Sequence, residues 1–393
     1  MLHVYRLREL VATAVAATCL NGFALAESPR QIPIGPPTRP AQSAPKDPSS
    51  RVTVTDAPPA SITAIADGGL PRRARIGLVV AETASGLVVR EVVARSAAAS
   101  AGIHEGDVIA NINGSPIQSG AAFEARIRTM RAGTTVTMTI VRGAEPLDVQ
   151  VTPDEALREG DFDAKVEYNA FAGSGGRLRS VWTVPARSGG AKLPAVLIVR
   201  GVGAPAADAP GANPFRDLAF QLARDGLITV RFDPSGTGDS EGPPNGSVDF
   251  TTEVADARAA LKHVRSDARV DPDRVVLVGQ GTGGGVASVV ASSDRKLAGL
   301  VVEGMIARPL IEYLLDSRRQ QLVLAGVPMG DIDDILRQHI SIYTQLLEND
   351  AAPLPDELGV VAADGTLMGK RGDFWKQYDE VNYGRIFAEL SIP

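Results

Sequence analysis

The sequence predicts an α/β protein: a mainly parallel sheet with helices on both faces, incomplete at its C-terminal end, preceded by a small mixed α+β domain. Three observations carry this. From Lys165 onward, apolar runs of strand length alternate with amphipathic stretches, the pattern of a parallel sheet with crossover helices. Residues 75–152 instead hold short strands punctuated by glycine-rich turns. Between Val275 and Gly284 a buried strand runs into a glycine-framed turn and then a small-residue helix.

Composition narrows the function. At 393 residues the chain has room for two or three domains of about 100–200 residues each. Its hydrophobic content of 44% is that of a globular protein, and no stretch reaches transmembrane length. The net charge of −6 is scattered, so no basic face for nucleic acid is built. No metal cluster, phosphate loop or dinucleotide fingerprint is present. Gly283-Gly284-Gly285 opens a helix after a strand, but the G-x-G-x-x-G spacing fails. No cofactor is expected.

Residues 1–26 read as a secretory signal: Arg6 and Arg8, an apolar run from Leu10 to Ala17, then Ala24-Leu25-Ala26 before Glu27. The plainer alternative is an uncleaved N-terminal helix. Thr18 before the lone Cys19 argues against a lipoprotein site. With Cys19 removed the mature chain holds no cysteine, which suits an oxidising periplasm or the exterior. Residues 27–71, rich in Pro, Ala and Ser, cannot bury enough apolar surface to offset ordering and read as an extended tether. An acidic step, Asp154 to Asp163, separates the two folded units.

The first folded unit spans 72–153. Strands are expected at Ile76–Val80, Leu87–Val89 and Val136–Val141, and a helix at Ala122–Met130 with Phe123, Ile127 and Met130 on one face. Between them run Ala101-Gly102-Ile103-His104-Glu105-Gly106-Asp107-Val108-Ile109 and Ile112-Asn113-Gly114. This string closely resembles the PDZ family, above all the PDZ domains of bacterial periplasmic proteases; Ala97 departs from the family's frequent proline. The resemblance implies capture of a peptide or protein C-terminus by strand addition, with Ile76, Gly77 and Leu78 as the carboxylate-cradling loop behind Arg72, Arg73 and Arg75. Docking of an internal segment is the open alternative.

In the second unit, 165–393, strand Val196–Val199 is followed by a helix capped by Asn213 and opened by Pro214, with Phe215, Leu218, Ala219 and Leu222 inward. Strand Ile228–Phe232 and a helix striped by Phe250, Val254, Ala257, Leu261 and Val264 come next. The elbow strand, its helix and strand Leu300–Val302 complete the sheet elements, and a cap region occupies about 305–385. Three motifs stand on these elements in order: Arg200-Gly201-Val202-Gly203, then Asp233-Pro234-Ser235-Gly236-Thr237-Gly238-Asp239-Ser240, then Gly279-Gln280-Gly281-Thr282-Gly283. Together they resemble the α/β-hydrolase family, in its secreted esterase and serine-aminopeptidase-like branch.

That resemblance implies a serine nucleophile on a strained turn, an acid and a histidine after it in the chain, and two backbone N–H groups for the oxyanion. Gly281 stands at the nucleophile position and offers no reactive atom. The N–H groups of Thr282 and Val202 are the expected oxyanion donors, and Arg200 replaces the usual histidine. The Thr282 side chain is expected to point away from the site. Ser235 and Ser240 read as turn hydrogen-bonders, and His3, His104, His263 and His339 as structural or surface groups, none following an acid on a sheet strand after the elbow. Cap residues Leu310, Tyr313, Leu314 and Leu322 read as helix core. The chain stops at Pro393, where the family approaches the strand bearing its acid, so a C-terminally incomplete chain is expected.

Three readings remain open. The leading one is a secreted peptide-binding protein on a hydrolase scaffold without competent machinery, with room over the elbow for a small ester or peptide ligand. The second is an active secreted serine esterase or peptidase of which this is a fragment with an altered elbow residue. The third makes the hydrolase unit a spacer for the PDZ.

Overall fold

The computed structural model describes residues 11, 52–53, 70–186, 190–209, 213–348, 360–361 and 365–392. The expected signal, Val11 apart, and the expected tether, apart from 52–53 and 70–71, lie outside the described residues, as does Pro393. Two compact units divide at residue 159: residues 39–159 form one, and residues 160–393 with the first 38 form the other.

The smaller unit contains β1 (Val52–Thr53), β2 (Ala74–Arg75), β3 (Leu78–Thr83), β4 (Gly86–Val92), α1 (Ala97–Ser100), β5 (Val108–Ile112), β6 (Ser115–Pro116), α2 (Gly120–Thr129), β7 (Val136–Arg142), β8 (Glu145–Val151) and β9 (Asp154–Glu155). Its main sheet runs β1-β3-β4-β5-β7-β8, with β6 folded back on β5. Alternation builds the core: Val136, Met138 and Ile140 point inward, between the partly exposed Thr137 and Thr139. They meet Leu78, Val80, Leu87, Val89, Ile109 and Phe123 in one cluster.

β3 starts at Leu78 rather than Ile76. The Ile76 carbonyl is taken by Ala98 N–H at 2.9 Å and that of Gly77 by Val93 N–H at 3.0 Å, so both residues turn away before the ladder begins. The acidic step holds the division between the two units at residue 159, and its first part also belongs to the fold of the smaller one. Its first residues form β9, antiparallel to β2, and Asp154 Oδ2 accepts from Ala97 N–H at 2.9 Å. Arg72 is buried rather than solvated; its Nη2 donates to the Ala156 and Leu157 carbonyls at 3.2 and 2.8 Å, which closes this unit.

The larger unit contains β10 (Ala164–Ala172), β11 (Arg177–Pro185), β12 (Leu193–Val199), α3 (Pro214–Arg224), β13 (Ile228–Phe232), α4 (Phe250–Ser266), β14 (Val270–Gln280), α5 (Thr282–Ser292), β15 (Gly299–Glu303), α6 (Leu310–Leu324), α7 (Met329–Glu348), α8 (Gly372–Asp379) and α9 (Tyr383–Glu389). The sheet runs β10-β11-β13-β12-β14-β15, antiparallel over its first two pairings and parallel over the rest. Successive residues of β12 and β14 serve opposite faces, as a period of two requires. Ala195, Leu197, Val275 and Leu277 pack under α4 and α5; Val196, Ile198, Val276 and Val278 pack with Leu218 and Leu222 of α3, and Val11 joins them.

Asn213 caps α3, accepting from Arg216 N–H at 3.1 Å, and Pro214 opens it. In the cap, Leu310, Leu314 and Leu322 are helix core, and Tyr313 is half-buried. No helix among the described residues is long and apolar enough to cross a membrane.

Candidate functional site

β14 carries the chain to the carboxyl edge of the sheet, and Gly281 turns it into α5 with φ 56° and ψ −129°. That region is all but closed to residues with a side chain, except where the surroundings enforce it. Two bonds pin the turn: Gly281 N–H donates to the Glu303 carbonyl at 2.8 Å, and Gly284 N–H to the Gly281 carbonyl at 2.9 Å. The flanking glycines have no room to be anything else. A Cβ at Gly279 would lie 2.6 Å from the Gly284 Cα, and one at Gly283 would lie 2.4 Å from the Val199 carbonyl oxygen. At Gly281 the space is open, and the nearest heavy atom to a Cβ there is the Gly201 Cα at 4.0 Å. The turn is shaped to present a side chain and has none.

Gly201 lets the loop after β12 come against this turn, where a Cβ would stand 2.7 Å from the Gln280 carbonyl oxygen. The approach has a consequence for Thr282. Its side chain does not point away: Oγ1 accepts the Val202 N–H at 2.8 Å. One of the two expected oxyanion donors is therefore occupied by a neutral hydroxyl, which an incoming anion would have to displace. The Thr282 N–H opens α5, in the first turn where backbone donors have no intrahelical acceptor.

Arg200 holds the loops rather than the site. Its guanidinium donates to Asp233 Oδ1 and the Phe232 carbonyl, each at 2.9 Å, and Asp233 Oδ1 also accepts from Ala207 N–H at 2.6 Å. Ser240 Oγ donates to the Asp233 carbonyl at 2.7 Å and accepts from Arg179 N–H at 2.9 Å, and Ser235 Oγ donates to Asp256 at 3.3 Å. Ser240 bonds within its own turn, as expected, whereas Ser235 ties the turn to Asp256 on α4.

His263 stacks on Phe171 at 5.2 Å and meets Ser180 Oγ at 3.3 Å; burial pushes its imidazole below the ordinary value. His339 is buried on α7 with Nδ1 against the Ile335 carbonyl at 2.8 Å. The sequence did contain an acid in the right order. Glu303 ends β15 in register with Gln280, so Gly281, Glu303 and His339 follow the nucleophile–acid–histidine order. The signal was the carboxylate directly after an apolar strand. His339 sits in α7, with Nδ1 against the Ile335 carbonyl and its ring edge-on to Tyr343.

A cavity of about 480 Å³ opens beside the elbow helix, lined in part by Arg308, Pro309, Tyr378, Asp379 and Tyr383. Tyr378 and Tyr383 lie against Gly285, where a Cβ would come 2.5 Å from Tyr378 Cε2 and 2.6 Å from the Tyr383 hydroxyl oxygen. Tyr378 donates to the Ile306 carbonyl at 2.9 Å, and burial pushes its phenol up to about 12. No group of His, Cys, Asp and Glu among the described residues could hold a metal ion.

In the smaller unit, Ile76 and Gly77 lead into β3, whose outer edge pairs antiparallel with β1 through Val52↔Ala81 and Thr53↔Val80. α2 flanks the same strand, and its Gly120 N–H donates to Glu82 Oε1 at 2.7 Å. Asp107, of the Gly-Asp pair in the motif, takes Arg142 Nε at 2.8 Å and His104 N–H at 2.8 Å. Burial works to raise its carboxyl, but these bonds outweigh it and hold the group below its usual value.

Comparison with known proteins agrees with both units. Residues 74–152 match the family model of the PDZ domain, and residues 209–321 match that of the serine aminopeptidase, S33. An uncharacterised protein of Pseudomonas aeruginosa is 31% identical over 183 residues, 45% of this chain and 46% of its own. The quorum-quenching protein AidA of Acinetobacter baumannii is 32% identical over 110 residues, 28% of this chain and 34% of its own. The periplasmic pH-dependent serine endoprotease DegQ of Escherichia coli is 42% identical over 69 residues, 18% of this chain and 15% of its own. The chain spans less than half the length of each of these relatives. Among solved structures, a hypothetical protein of Pseudomonas aeruginosa aligns with a TM-score of 0.39 at 19% identity, over 59% of this chain and 76% of that one. The chain carries a PDZ domain followed by an α/β-hydrolase-like domain similar to the serine aminopeptidases of the S33 family.

Proposed function

We propose that this is a periplasmic or secreted peptide-binding protein whose hydrolase-like domain carries out no acyl transfer at its elbow. The observation that carries the proposal is Gly281: the turn has the backbone of a nucleophile elbow and no nucleophile on it. A serine removed from such a triad costs about a million-fold in turnover. Two further features support the reading. The Val202 N–H is committed to Thr282 Oγ1, and His263 and His339 are held in contacts of their own. The pure protein is expected to resist fluorophosphonate labelling and to leave p-nitrophenyl esters at the rate of a buffer control. Turnover above that rate overturns the proposal.

The PDZ half of the proposal rests on the pairing of β3 with β1, since the strand that would receive a peptide already takes an extended segment antiparallel. Export is supported by the N-terminal pattern of charge, apolar run and small residues, and by the similarity to the periplasmic serine endoprotease DegQ. A second reading, an active serine esterase or peptidase of which these residues are a part, is favoured by the open space at Gly281. Gly281→Ser, supplied with the family's acid and histidine, would label with fluorophosphonate on that reading. Absence of labelling in a folded protein removes it.

A further inference from the structure

The chain where α6 turns into α7 carries no charge from Leu322 to Gly330. Three side chains of this run stand in solvent at the end of the hairpin: Leu324 is 88% exposed, Met329 61% and Val323 52%. Their neighbours face the other way. Leu322 is fully buried, and with Ile332 and Leu336 it forms a small cluster within the hairpin, against which Val327 packs. The inward residues hold the two helices together, and the outward ones have no part in that.

The turn itself is tightly built. Gly326, at φ 74°, closes α6; its N–H donates to the Val323 carbonyl at 3.0 Å and the Val327 N–H to the Leu322 carbonyl at 3.0 Å, the two bonds of a Schellman motif. Ala325 N–H donates to the Gln321 carbonyl at 3.0 Å, and Pro328 has no N–H to satisfy. The backbone donors from Ala325 to Pro328 therefore need no water, which is what entry into an apolar medium requires. A polar collar begins about one turn behind the tip. Its Arg319 pairs with Asp333 at 3.7 Å and its Arg337 with Asp334, and Asp331 adds a further acid, so it offers no basic field to anionic headgroups.

Shape and area decide the occupant. A stable pair of proteins needs about 800 Å² from each partner, spread over roughly 20–30 residues. Three side chains on the protruding end of a hairpin supply a small part of that. A lipid interface is fluid, closes around a protrusion and takes up apolar side chains without a complementary surface. We propose that the tip of the α6–α7 hairpin inserts Val323, Leu324 and Met329 into a zwitterionic lipid surface. The tip depends on neither the elbow nor the peptide edge of β3.

Leu324→Trp in the full chain places a reporter on the tip at an exposed position. Trp182 and Trp375 are each 1% exposed, so the unsubstituted chain serves as the blank. With phosphatidylcholine vesicles the emission of the added indole is expected to shift to the blue while that of the blank stays put. The shift should persist at high salt and gain nothing from phosphatidylglycerol, because no basic field contributes to it. Met329→Asp in the same background is expected to weaken partitioning about tenfold, the lower end for burying a side chain of this size. The proposal is overturned by an unshifted indole, by binding that requires phosphatidylglycerol, or by partitioning that Met329→Asp leaves unchanged. A blue shift that grows with protein concentration in the absence of lipid also overturns it and assigns the tip to a second copy of the chain.

Discussion

A side chain added at Gly281 meets a conformational cost, whereas one added at Gly283 meets a solid wall. At 281 the backbone sits at φ 56° and ψ −129°, which costs a residue with a Cβ about 1–3 kcal/mol, but the space beyond is empty. At 283 a Cβ would strike the Val199 carbonyl at 2.4 Å and the Arg200 backbone at 2.7 Å, atoms that move only if the sheet edge moves. Gly281→Ser is therefore expected to fold with a loss of about 1–3 kcal/mol. Gly283→Ala should lose more, above the usual ~3 kcal/mol ceiling for overpacking, because the atoms it strikes are backbone. Denaturant midpoints of the two variants check the order, and equal losses would refute it. The glycine frame was readable in the sequence because space alone dictates Gly279 and Gly283. The direction of the Thr282 hydroxyl was not, since it depends on how closely Gly201 lets a distant loop approach.

At the scale of elements, strong periodicity was legible and short pairings were not. The stripes of α3 and α4, the Asn213 cap and the strands β12 to β15 follow from apolar spacing that one long element imposes on its own sequence. β9 and β1 each have two residues, too few to show a period, and each is defined only by a partner far along the chain. The β1–β3 pairing makes a prediction about the peptide edge. A segment on the same chain competes at an effective concentration on the order of millimolar. Replacing Val52 and Thr53 with proline removes two backbone donors and should free the edge of β3. A labelled peptide with a free carboxylate is then expected to bind several-fold more tightly, as read by fluorescence polarisation. An unchanged dissociation constant means that the segment does not compete.

Across the whole molecule, each unit closes a core from its own residues. The cluster around Phe123, Met138 and Ile140 draws only on positions 74 to 151, and the clusters on the two faces of the larger sheet draw on Val11 and on residues from 171 onward. The strand order β10-β11-β13-β12-β14-β15 is a crossover property, invisible to local pattern, and the three glycine motifs point to a fold class without giving that order. Closed cores imply separable folding. A fragment of residues 70–159 retains β2 to β9, the Arg72 bonds to the Ala156 and Leu157 carbonyls, and every member of its cluster. It is expected to unfold in one cooperative transition, as single domains of this size do. It should also bind the same labelled peptide at least as tightly as the full chain, because β1 is gone and the edge of β3 is open. A fragment that folds but has lost the peptide would mean that part of the groove comes from outside these residues. A fragment that fails to fold would show that the cluster is not sufficient by itself.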